Sequence, residues 1–421
     1  MWAPVSPIDD SLRGRFCPQI PGMENIVYII KTGSTEALER LPIHIKTTMQ
    51  CWPHTFVFSD YGELIENVTL HDALDEVEEW IREDHSDFEL RRQLYKHGRK
   101  ILESNHFASD EDDNTSVLGM PGNAGWRLDR FKSLPMVRKA YELHPTAKWY
   151  IFTDADTWVS PTNLVNWLGK FDHSKQWYLG NPSVIGQQSF GHGGSGYILS
   201  NSAMNATTEM YSRESQYWDR FAAKHWAGDC VLATALQHRL NIPVSWAYPL
   251  LQSESPFMLD YTEQNYYRKL WCYPVVSYHH ASPSTIETLW DFEKNWTAQH
   301  HTSLQPMRHR DVFQDVVIPK FAEHDQQEWD NLSGDIVPYW RSDSPPNFNA
   351  ETLRCRQTCE RNSTCLQFSY SDHQCRTSGR PKVGKAAGKG VRSGWLPARI
   401  KTYMADYDDC NDGRWIVHEA L

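Results

Sequence analysis

The sequence predicts an α/β fold with a mainly parallel central sheet, from two observations. Residues 25–30 and 55–58 are apolar runs rich in β-branched and aromatic side chains, and residues 35–49 between them have the periodicity of a helix. A strand, a helix and a second strand in this order are typical of parallel pairing, because the helix returns the chain to the starting edge of the sheet.

Both predicted strands end in polar residues. Lys31 and Thr32 follow the first strand, and Asp60 follows the second. Ligands of open α/β sheets bind outside the carboxyl ends of the strands. We therefore expect these three side chains to lie where a nucleotide could bind.

The length and composition predict more than one domain. The 421 residues exceed the usual size of a single domain. Residues 336–349 are rich in Pro, Ser and Asn, which predicts a linker, and the charged stretch 71–113 predicts a solvated helical insertion and a mobile loop without chemistry. The predicted order is a tail, a large α/β domain, the linker and a small cysteine-rich domain, over residues 1–22, 23–335, 336–349 and 350–421.

The charge balance excludes one class of partner. The formal net charge is −11, whereas nucleic-acid surfaces depend on clustered Lys and Arg. An acidic protein can still bind a nucleotide diphosphate through a metal ion that supplies the positive charge.

The cysteines and glycosylation sequons indicate an oxidising compartment. Of nine cysteines, four crowd together at Cys355, Cys359, Cys365 and Cys375, which predicts disulfides, although four cysteines allow three connectivities. The pairing of the other five stays open. Six Asn-x-Ser/Thr sequons fit the same compartment, at Asn67, Asn114, Asn205, Asn295, Asn331 and Asn362.

The sequence contains no run of roughly 18 or more apolar residues. We expect a protein of the secretory pathway, on the lumenal side of the Golgi membrane with type II topology. Its only membrane contact would be an N-terminal anchor that is absent from this sequence.

Two carboxylates follow a third predicted strand. Residues 149–153 are apolar and lead into Asp154-Ala155-Asp156, whose two carboxylates share one side of the chain. Such carboxylates repel each other unless a cation lies between them, and their oxygens suit Mn²⁺ or Mg²⁺. A turn or a helix cap is the alternative for this spacing alone, but the position after a strand favours a metal site.

Residues 191–197 are a glycine-dense segment. Glycines let a backbone approach a ligand closely, and an ordinary flexible turn is the alternative. The candidates for a donor or acceptor loop are Gly193, Gly194, Ser195, Gly196 and Tyr197.

Two further positions are candidates for chemistry. Asp229 precedes the helix-like run 230–240 and is either an N-cap or a general base for a substrate hydroxyl. His279 and His280 follow an apolar run, where an imidazole is a candidate Mn²⁺ ligand and a structural histidine pair is the alternative.

In chain order these segments resemble glycosyltransferase family 31, the group of Fringe and of core 1 β1,3-galactosyltransferase. The resemblance spans residues 25–296. Two segments are similar to Fringe: Val-Tyr-Ile-Ile-Lys-Thr at 27–32 and Phe-Val-Phe-Ser-Asp at 56–60. Three segments are similar to the core 1 enzyme: 149–159, Gly-Gly-Ser-Gly-Tyr at 193–197 and Val-Ser-Tyr-His at 276–279. The last segment favours His279 over His280.

The resemblance implies a GT-A-type fold that transfers a sugar from a UDP donor with inversion. It makes Asp156 and His279 the Mn²⁺ ligands, places Asp154 beside the ribose or the metal, and makes Asp229 the catalytic base. The Glu that precedes this Asp in the family is Gly228 here. The implied nucleotide-sugar pocket comprises Lys31, Thr32, Asp60, Arg127, Lys132 and Asp154.

The cysteine-rich segment resembles a PAN/apple module. That resemblance implies the pairs Cys355–Cys375 and Cys359–Cys365, and it implies binding of carbohydrate or protein. A passive structural appendage is the alternative.

The predicted function is a metal-dependent inverting transfer of a sugar, above all galactose in β1,3 linkage, from a UDP donor to a glycan or glycoprotein. Two alternatives stay open. One is a Fringe-like transfer from UDP-N-acetylglucosamine, and the other is an inactive transferase that binds glycans. The sequence fixes neither the donor sugar, the acceptor nor the oligomeric state.

Overall fold

The computed structural model describes residues 20–103, 123–225, 227–265, 267–300, 305–321, 325–338, 340, 347–407, 410 and 415–417. Parts of three predictions lie outside the described residues: the tail up to residue 19, the charged stretch from 104 onward with the sequon at Asn114, and residues 339 and 341–346 of the linker.

The chain divides into two units. The first comprises Met1–Ser253, Val276–Ser303 and Ile416–Leu421, and the second comprises Glu254–Val275 and Leu304–Trp415. The domain limits expected from the sequence stay a prediction.

The helices are short to medium in length and the strands are mostly short. The helices are α1 (Ala37–Lys46), α2 (Glu79–Asp84), α3 (Glu89–His97), α4 (Ala124–Leu143), α5 (Pro161–Leu168), α6 (Asn201–Lys224), α7 (Gly228–Thr234), α8 (Pro283–His300), α9 (His309–Val312), α10 (Phe348–Arg361) and α11 (Pro397–Tyr407). The strands are β1 (Ile26–Lys31), β2 (His54–Ser59), β3 (Glu63–Ile65), β4 (Val68–Asp72), β5 (Trp149–Asp154), β6 (Trp158–Val159), β7 (Tyr178–Gly180), β8 (Pro182–Ile185), β9 (Gln188–Gly191), β10 (Tyr197–Ser200), β11 (Val244–Trp246), β12 (Leu251–Gln252), β13 (Gln264–Asn265), β14 (Arg268–Lys269), β15 (Ser277–Tyr278), β16 (Gln326–Gln327), β17 (Trp329–Asp330), β18 (Asp335–Ile336), β19 (Gln367–Ser371), β20 (Gln374–Ser378), β21 (Lys385–Ala386) and β22 (Arg392–Trp395).

An eight-stranded sheet forms the centre of the first unit, in the order β11-β7-β10-β5-β1-β2-β4-β3. β1 pairs in parallel with both β2 and β5, which confirms the parallel pairing predicted for the first two strands. The sheet is mixed, because β10 runs antiparallel to β5 and β7, and β3 runs antiparallel to β4. The register pairs Lys31 with Asp154, so these two side chains end neighbouring strands together.

Burial of the central strand explains its sequence. Val27 to Ile30 of β1 are completely buried, so both faces of the strand are apolar and the residues do not alternate with polar ones. On one face α4 packs into the main hydrophobic core through residues such as Leu128 and Val137. The side chain of Asn123 caps α4 by accepting the Trp126 backbone N–H at 3.0 Å.

The charged stretch that begins at residue 71 is less solvated than its composition predicts. Val77, Ile81, Phe88 and Leu94 are buried in the main core. Ile81 and Leu94 lie in α2 and α3, and Val77 and Phe88 lie just before these helices, so each helix turns an apolar side to the core. The expectation of a solvated insertion is therefore wrong for this part.

A small second sheet brings a distant segment to the end of β5. β15 pairs antiparallel with β6, opposing Ser277 to Val159 and Tyr278 to Trp158. The Ala281 backbone N–H then donates to the Asp156 carbonyl at 2.8 Å. The residues between Tyr278 and Ala281 consequently lie beside Asp156.

The second unit contains a five-stranded sheet in the order β16-β22-β19-β20-β18, with the central pairings antiparallel. Disulfides join Cys355 to Cys375, Cys359 to Cys365, and Cys272 to Cys410. The first two are the pairs that the resemblance implies, and four of these sulfurs lie in the core of α10, β19 and β20. Such staples stabilise a sheet and helix too small for a large core. The PAN/apple resemblance itself stays a prediction.

Among the residues that the structure describes, no helix is both long and apolar enough to cross a membrane.

Glu293, a buried carboxyl in α8, gives a prediction about pH and stability. The Ser160 hydroxyl donates to its Oε1 at 2.7 Å, and its Oε2 has no hydrogen-bond partner among the described residues. Burial raises the pKa of Glu293 from 4.5 to about 7. The folded protein therefore binds more protons than the unfolded chain between these values, and the contribution of Glu293 to stability is lost as pH rises through 7.

We expect Glu293→Gln to remove this loss. Relative to the parent, the variant should gain about 3 kcal/mol of unfolding free energy between pH 4.5 and pH 8. Urea unfolding at both pH values measures the difference, and a constant difference would contradict the raised pKa.

Candidate active site

Two lysines and two aspartates form a network at the carboxyl ends of β1 and β5. Lys31 Nζ lies 3.0 Å from Asp129 and 3.1 Å from Asp154. Lys132, from α4, lies 2.6 Å from Asp129 and donates to the Thr32 carbonyl at 2.8 Å. The structure thus brings Lys31, Thr32, Lys132 and Asp154 together, with Asp129 as the link.

The mutual attraction of these groups outweighs their burial. Burial lowers the pKa of Lys31, but Asp129, Asp154 and Asp229 raise it well above its usual value. Burial raises the pKa of Asp129, yet Lys132 and Lys31 hold it below its usual range. Each lysine is thus paired with a carboxylate, and Asp129 and Asp154 offset the positive charges of Lys31 and Lys132. The network by itself offers no surplus positive charge to a diphosphate.

Asp156, His279 and His280 form a second cluster, in which one ligand atom of each lies within 4.8 Å of the others. His279 Nε2 is 3.1 Å from Asp156 Oδ1, and His280 Nδ1 is 3.7 Å from Asp156 Oδ2. His279 Nδ1 lies 3.3 Å from the Ser253 carbonyl and donates to it, which orients Nε2 toward Asp156. Among the described residues Asp154 is outside this cluster, because its carboxylate contacts Lys31.

The electrostatics of the second cluster favour a positive charge beside Asp156. Burial raises the pKa of Asp156, but His279, His280 and Arg40 hold it well below its usual range. Burial lowers the pKa of His279, whereas Asp156 raises it to about 8. The Nδ1 atom of His280 is buried without a hydrogen-bond partner among the described residues. One carboxylate and two imidazoles are a donor set that suits Mn²⁺, which would displace the proton of His279.

The glycine-dense loop between β9 and β10 contacts Asp229 and the second cluster. The Gly193 N–H donates to Asp229 Oδ2 at 2.8 Å, and a Cβ on Gly193 would lie 2.5 Å from Asp229 Oδ1. A Cβ on Gly194 would overlap the His279 ring. The Thr157 and Ser277 hydroxyls fix the loop by donating to its carbonyls at 2.6 and 2.5 Å. Close approach, rather than flexibility, therefore explains the two glycines.

Asp229 is not the N-cap of α7. Ala227 occupies the cap position without a side-chain hydrogen bond, and Asp229 lies in the first turn. With Oδ2 bound to the Gly193 N–H, Asp229 lines a cavity of about 10 Å³ together with Lys31, Asp154 and Tyr197. The alternative role predicted for Asp229, an N-cap, is therefore wrong. Its carboxylate belongs to the candidate site.

A family model described as Fringe-like matches residues 22–296, which is more than half of the chain and contains both clusters and the loop. The chain belongs to the Fringe-like family. Because members of this family are glycosyltransferases, the chain is assigned to that enzyme class.

Other comparisons add little to the Fringe-like assignment. The chain is similar to a solved glycosyltransferase involved in the glycosylation of the major capsid of PBCV-1, at 14% identity, covering 65% of this chain and 99% of that one. The TM-score is 0.28, which is too low to support an argument. No curated protein matches the chain.

Two predicted nucleotide contacts of the Fringe-like domain, Asp60 and Arg127, have their direct partners outside the lysine network, although the charge of Asp60 helps to raise the pKa of Lys132. Asp60 is completely buried and accepts the Ser34 backbone N–H at 2.6 Å. Arg127 is half-exposed and lies 3.6 Å from Asp87. Among the described residues, no hydrogen bond or ion pair joins Arg127 to Lys31.

The resemblance aligns Gly228 with a Glu of the family, and the structure leaves no room for a side chain at this position. A Cβ at Gly228 would lie 2.7 Å from Ser133 Oγ, 2.9 Å from the Asp129 carbonyl and 3.2 Å from Arg130 Cα, all in α4. The start of α7 thus packs against the α4 backbone without room for a side chain.

We expect Gly228→Ala to destabilise the domain by about 1–3 kcal/mol, because α4 backbone atoms cannot move aside as a flexible side chain would. Gly334→Ala is the matched control, since a Cβ at Gly334 meets nothing within 4 Å. Urea unfolding measures both variants. Equal stability of the two would contradict the close packing of α7 on α4.

Sequence reasoning missed Arg40 and gave His280 less weight than His279. His280 joins the second cluster beside His279. Arg40, in α1, lies 3.6 Å from Asp156 and 3.2 Å from Glu36. The spacing of Glu36 and Arg40 could have revealed Arg40. Four residues apart, they lie on one face of a helix, and that helix directly follows the polar end of β1, at the edge of the sheet where ligands bind.

Proposed function

We propose that the chain is an inverting, metal-dependent glycosyltransferase that moves a sugar from a UDP donor to a hydroxyl of a glycan or glycoprotein. The observation that carries the proposal is the meeting of Asp229 and the Asp156–His279 pair on consecutive residues of one loop, Gly193 and Gly194. A single displacement needs a base and a diphosphate site close together on opposite sides of the reacting carbon.

Asp156 and His279 are the proposed ligands of Mn²⁺ or Mg²⁺, and His280 is added to them. The Ser253 carbonyl accepts the Nδ1–H of His279 and so orients the imidazole, as backbone carbonyls often do for metal-bound histidines. When bound, the ion neutralises the charge that develops on the departing diphosphate. Asp154, held by Lys31, is assigned to the ribose side of the donor.

Arg40 is the proposed protein cation for the diphosphate. Lys31 and Lys132 are already neutralised by Asp129 and Asp154. Arg40 pairs with Glu36 at 3.2 Å and with Asp156 at 3.6 Å, but its guanidinium makes no hydrogen bond to a described residue. Its donors are therefore available to phosphate oxygens.

Thr32, Lys132 and Asp60 support this donor pocket in the proposal. Lys132 is completely buried and binds the Thr32 carbonyl, while Asp60 fixes the turn after β1 through the Ser34 backbone N–H. They hold Lys31 at the ligand edge without being open to solvent. Arg127 is kept as a nucleotide contact from the resemblance alone.

Asp229 is the proposed general base. The Gly193 N–H holds Oδ2, which leaves Oδ1 to accept the proton of the acceptor hydroxyl as that oxygen attacks the anomeric carbon. Attack from the face opposite the diphosphate inverts the configuration at that carbon. No covalent intermediate is required.

Galactose in β1,3 linkage is the donor sugar and linkage that we propose first, on the likeness of the segments 149–159, 193–197 and 276–279 to the core 1 enzyme. Transfer from UDP-N-acetylglucosamine, as in Fringe, is the second candidate, because the opening strands resemble Fringe and a Fringe-like model matches the domain. The alternative of a glycan-binding protein without catalysis requires that Asp229 not act as a base and that Asp156 take no part in sugar transfer.

The test is a screen for UDP release by the purified chain with Mn²⁺, across UDP-sugars paired with N-acetylgalactosaminide and fucoside acceptors. Release that depends on acceptor and on Mn²⁺ is expected with UDP-galactose. Release only from UDP-N-acetylglucosamine would select the Fringe-like alternative. Glycan binding without release from any donor would select the inactive alternative and overturn the proposal.

The location and the second unit complete the proposal. The disulfides fit a protein of the secretory pathway. We place the enzyme on the lumenal side of the Golgi membrane, where glycan acceptors occur, and we assign glycan or protein binding to the PAN/apple-like module.

A further inference from the structure

His192 lies in the loop between β9 and β10 and has no role in the proposed chemistry. Its backbone N–H donates to the Asn181 carbonyl at 2.8 Å, which fixes the start of the loop. The imidazole contacts the His279 ring edge-to-face, with ring centroids 5.4 Å apart. The next residue, Gly193, donates to Asp229. His192 therefore lies beside both the proposed metal ligand and the proposed base.

The hydrogen bonds of His192 fix the position of its ring proton. The Ser195 backbone N–H donates to His192 Nδ1 at 3.1 Å, and the Ser195 hydroxyl lies 2.9 Å from the same atom. A nitrogen that accepts from an N–H carries no proton itself, so the proton is on Nε2. In the part of the chain that the structure describes, Nε2 has no hydrogen-bond partner.

The place of His192 determines what this N–H can meet. In a single displacement the transferred sugar lies between the attacking hydroxyl at Asp229 and the diphosphate at Asp156 and His279. His192 contacts His279 and adjoins the residue that binds Asp229, so it borders that space. A sugar hydroxyl is the acceptor group that an unpaired N–H would find there.

We propose that His192 Nε2–H binds a hydroxyl of the transferred sugar and is a specificity-determining residue for the donor. The inference rests on the proposed function, because it requires a nucleotide-sugar between Asp156 and Asp229. A site built to bind one hydroxyl discriminates strongly against a sugar that lacks it or holds it in the other orientation, since the protein donor is then left unpaired.

Two variants distinguish the role of the His192 Nε2–H from that of the hydrogen bond between Nδ1 and the Ser195 N–H. In His192→Asn the side-chain oxygen can take the place of Nδ1 and accept the Ser195 N–H, but no donor reaches the position of Nε2. In His192→Gln the longer amide can supply a donor near the position of Nε2. The substrates are the UDP-sugar identified in the donor screen and its analogues, each lacking one hydroxyl of the sugar.

For the parent, we expect one deoxy analogue to lose about 10–100-fold in kcat/KM beyond the others. His192→Asn should lose a similar factor with the full donor and show no further loss with that analogue. His192→Gln should recover part of the loss. In calorimetry with Mn²⁺, UDP itself should bind the parent and the Asn variant within about threefold, because UDP lacks the sugar.

Other outcomes overturn the inference. Equal kcat/KM of the parent and His192→Asn, or an unchanged pattern of deoxy losses in the variant, would show that His192 does not touch the sugar. Weakened Mn²⁺ or UDP binding in the Asn variant would make His192 part of the metal or diphosphate site instead. A parent that turns over no UDP-sugar would refute the proposed function, which is a separate result.

Discussion

Replacement of Asp229 by Asn is expected to lower the rate of sugar transfer by about 10²–10⁴-fold, the usual cost of removing a general base. The asparagine Oδ1 can still accept the Gly193 N–H, so the loop and the fold should be unchanged. The affinity for UDP with Mn²⁺ should also be unchanged, because the base acts on the acceptor hydroxyl. Steady-state transfer and calorimetry measure the two quantities.

Asp291→Asn is the matched control for this variant. Asp291 is an exposed carboxylate in α8 that pairs with Lys294, and its loss should leave transfer within twofold of the parent. Transfer by Asp229→Asn at the parent rate would remove the base assignment. The described part of the candidate site contains no equally placed carboxylate, since Asp154 and Asp129 are paired with lysines.

Replacement of Asp156 by Ala is expected to abolish Mn²⁺ binding and, with it, metal-dependent binding of UDP. The carboxylate is the anionic member of the second cluster, and two neutral imidazoles alone hold Mn²⁺ weakly. His279→Ala should have a comparable effect. His280→Ala should have a smaller one, because Nδ1 of His280 lies 3.7 Å from Asp156 and the ring is more exposed.

Calorimetry with Mn²⁺, first alone and then with UDP, orders these three variants. Arg220→Ala is a control, because it removes an exposed ion pair with Glu78 elsewhere in the same unit. Undiminished binding of Mn²⁺ by Asp156→Ala would remove the metal assignment. An equal loss in His279→Ala and His280→Ala would make both histidines full ligands.

The sequence predicted the elements whose signal is local. The buried runs of β1, β2 and β5 were recognisable because they are apolar on both faces, and their polar ends located Lys31 and Asp154 at one edge of the sheet. The spacing of Asp154 and Asp156 did not show that the two carboxylates separate, one to Lys31 and the other to His279.

The parts that were missed depend on backbone geometry and long-range packing. The resemblance favoured His279 over His280, and neighbouring residues of an extended strand would in any case point to opposite faces. His280 instead has a left-handed backbone, with φ of 49°, and the two rings lie 3.9 Å apart. Likewise, the crowding of Gly228 against α4 depends on residues about 100 positions earlier in the chain, as the contact with Asp129 shows.

Gly193 and Gly194 are adjacent, and they contact the proposed base and a proposed metal ligand, respectively. One peptide unit separates the amide that positions Asp229 from the Cα that packs against His279. A displacement of the imidazole on losing its cation would therefore be transmitted to the carboxylate through a few covalent bonds. In the proposed mechanism, metal binding at His279 and activation of the acceptor by Asp229 are therefore expected to be thermodynamically coupled. The free-energy effects of substitutions at these two residues are then expected not to add.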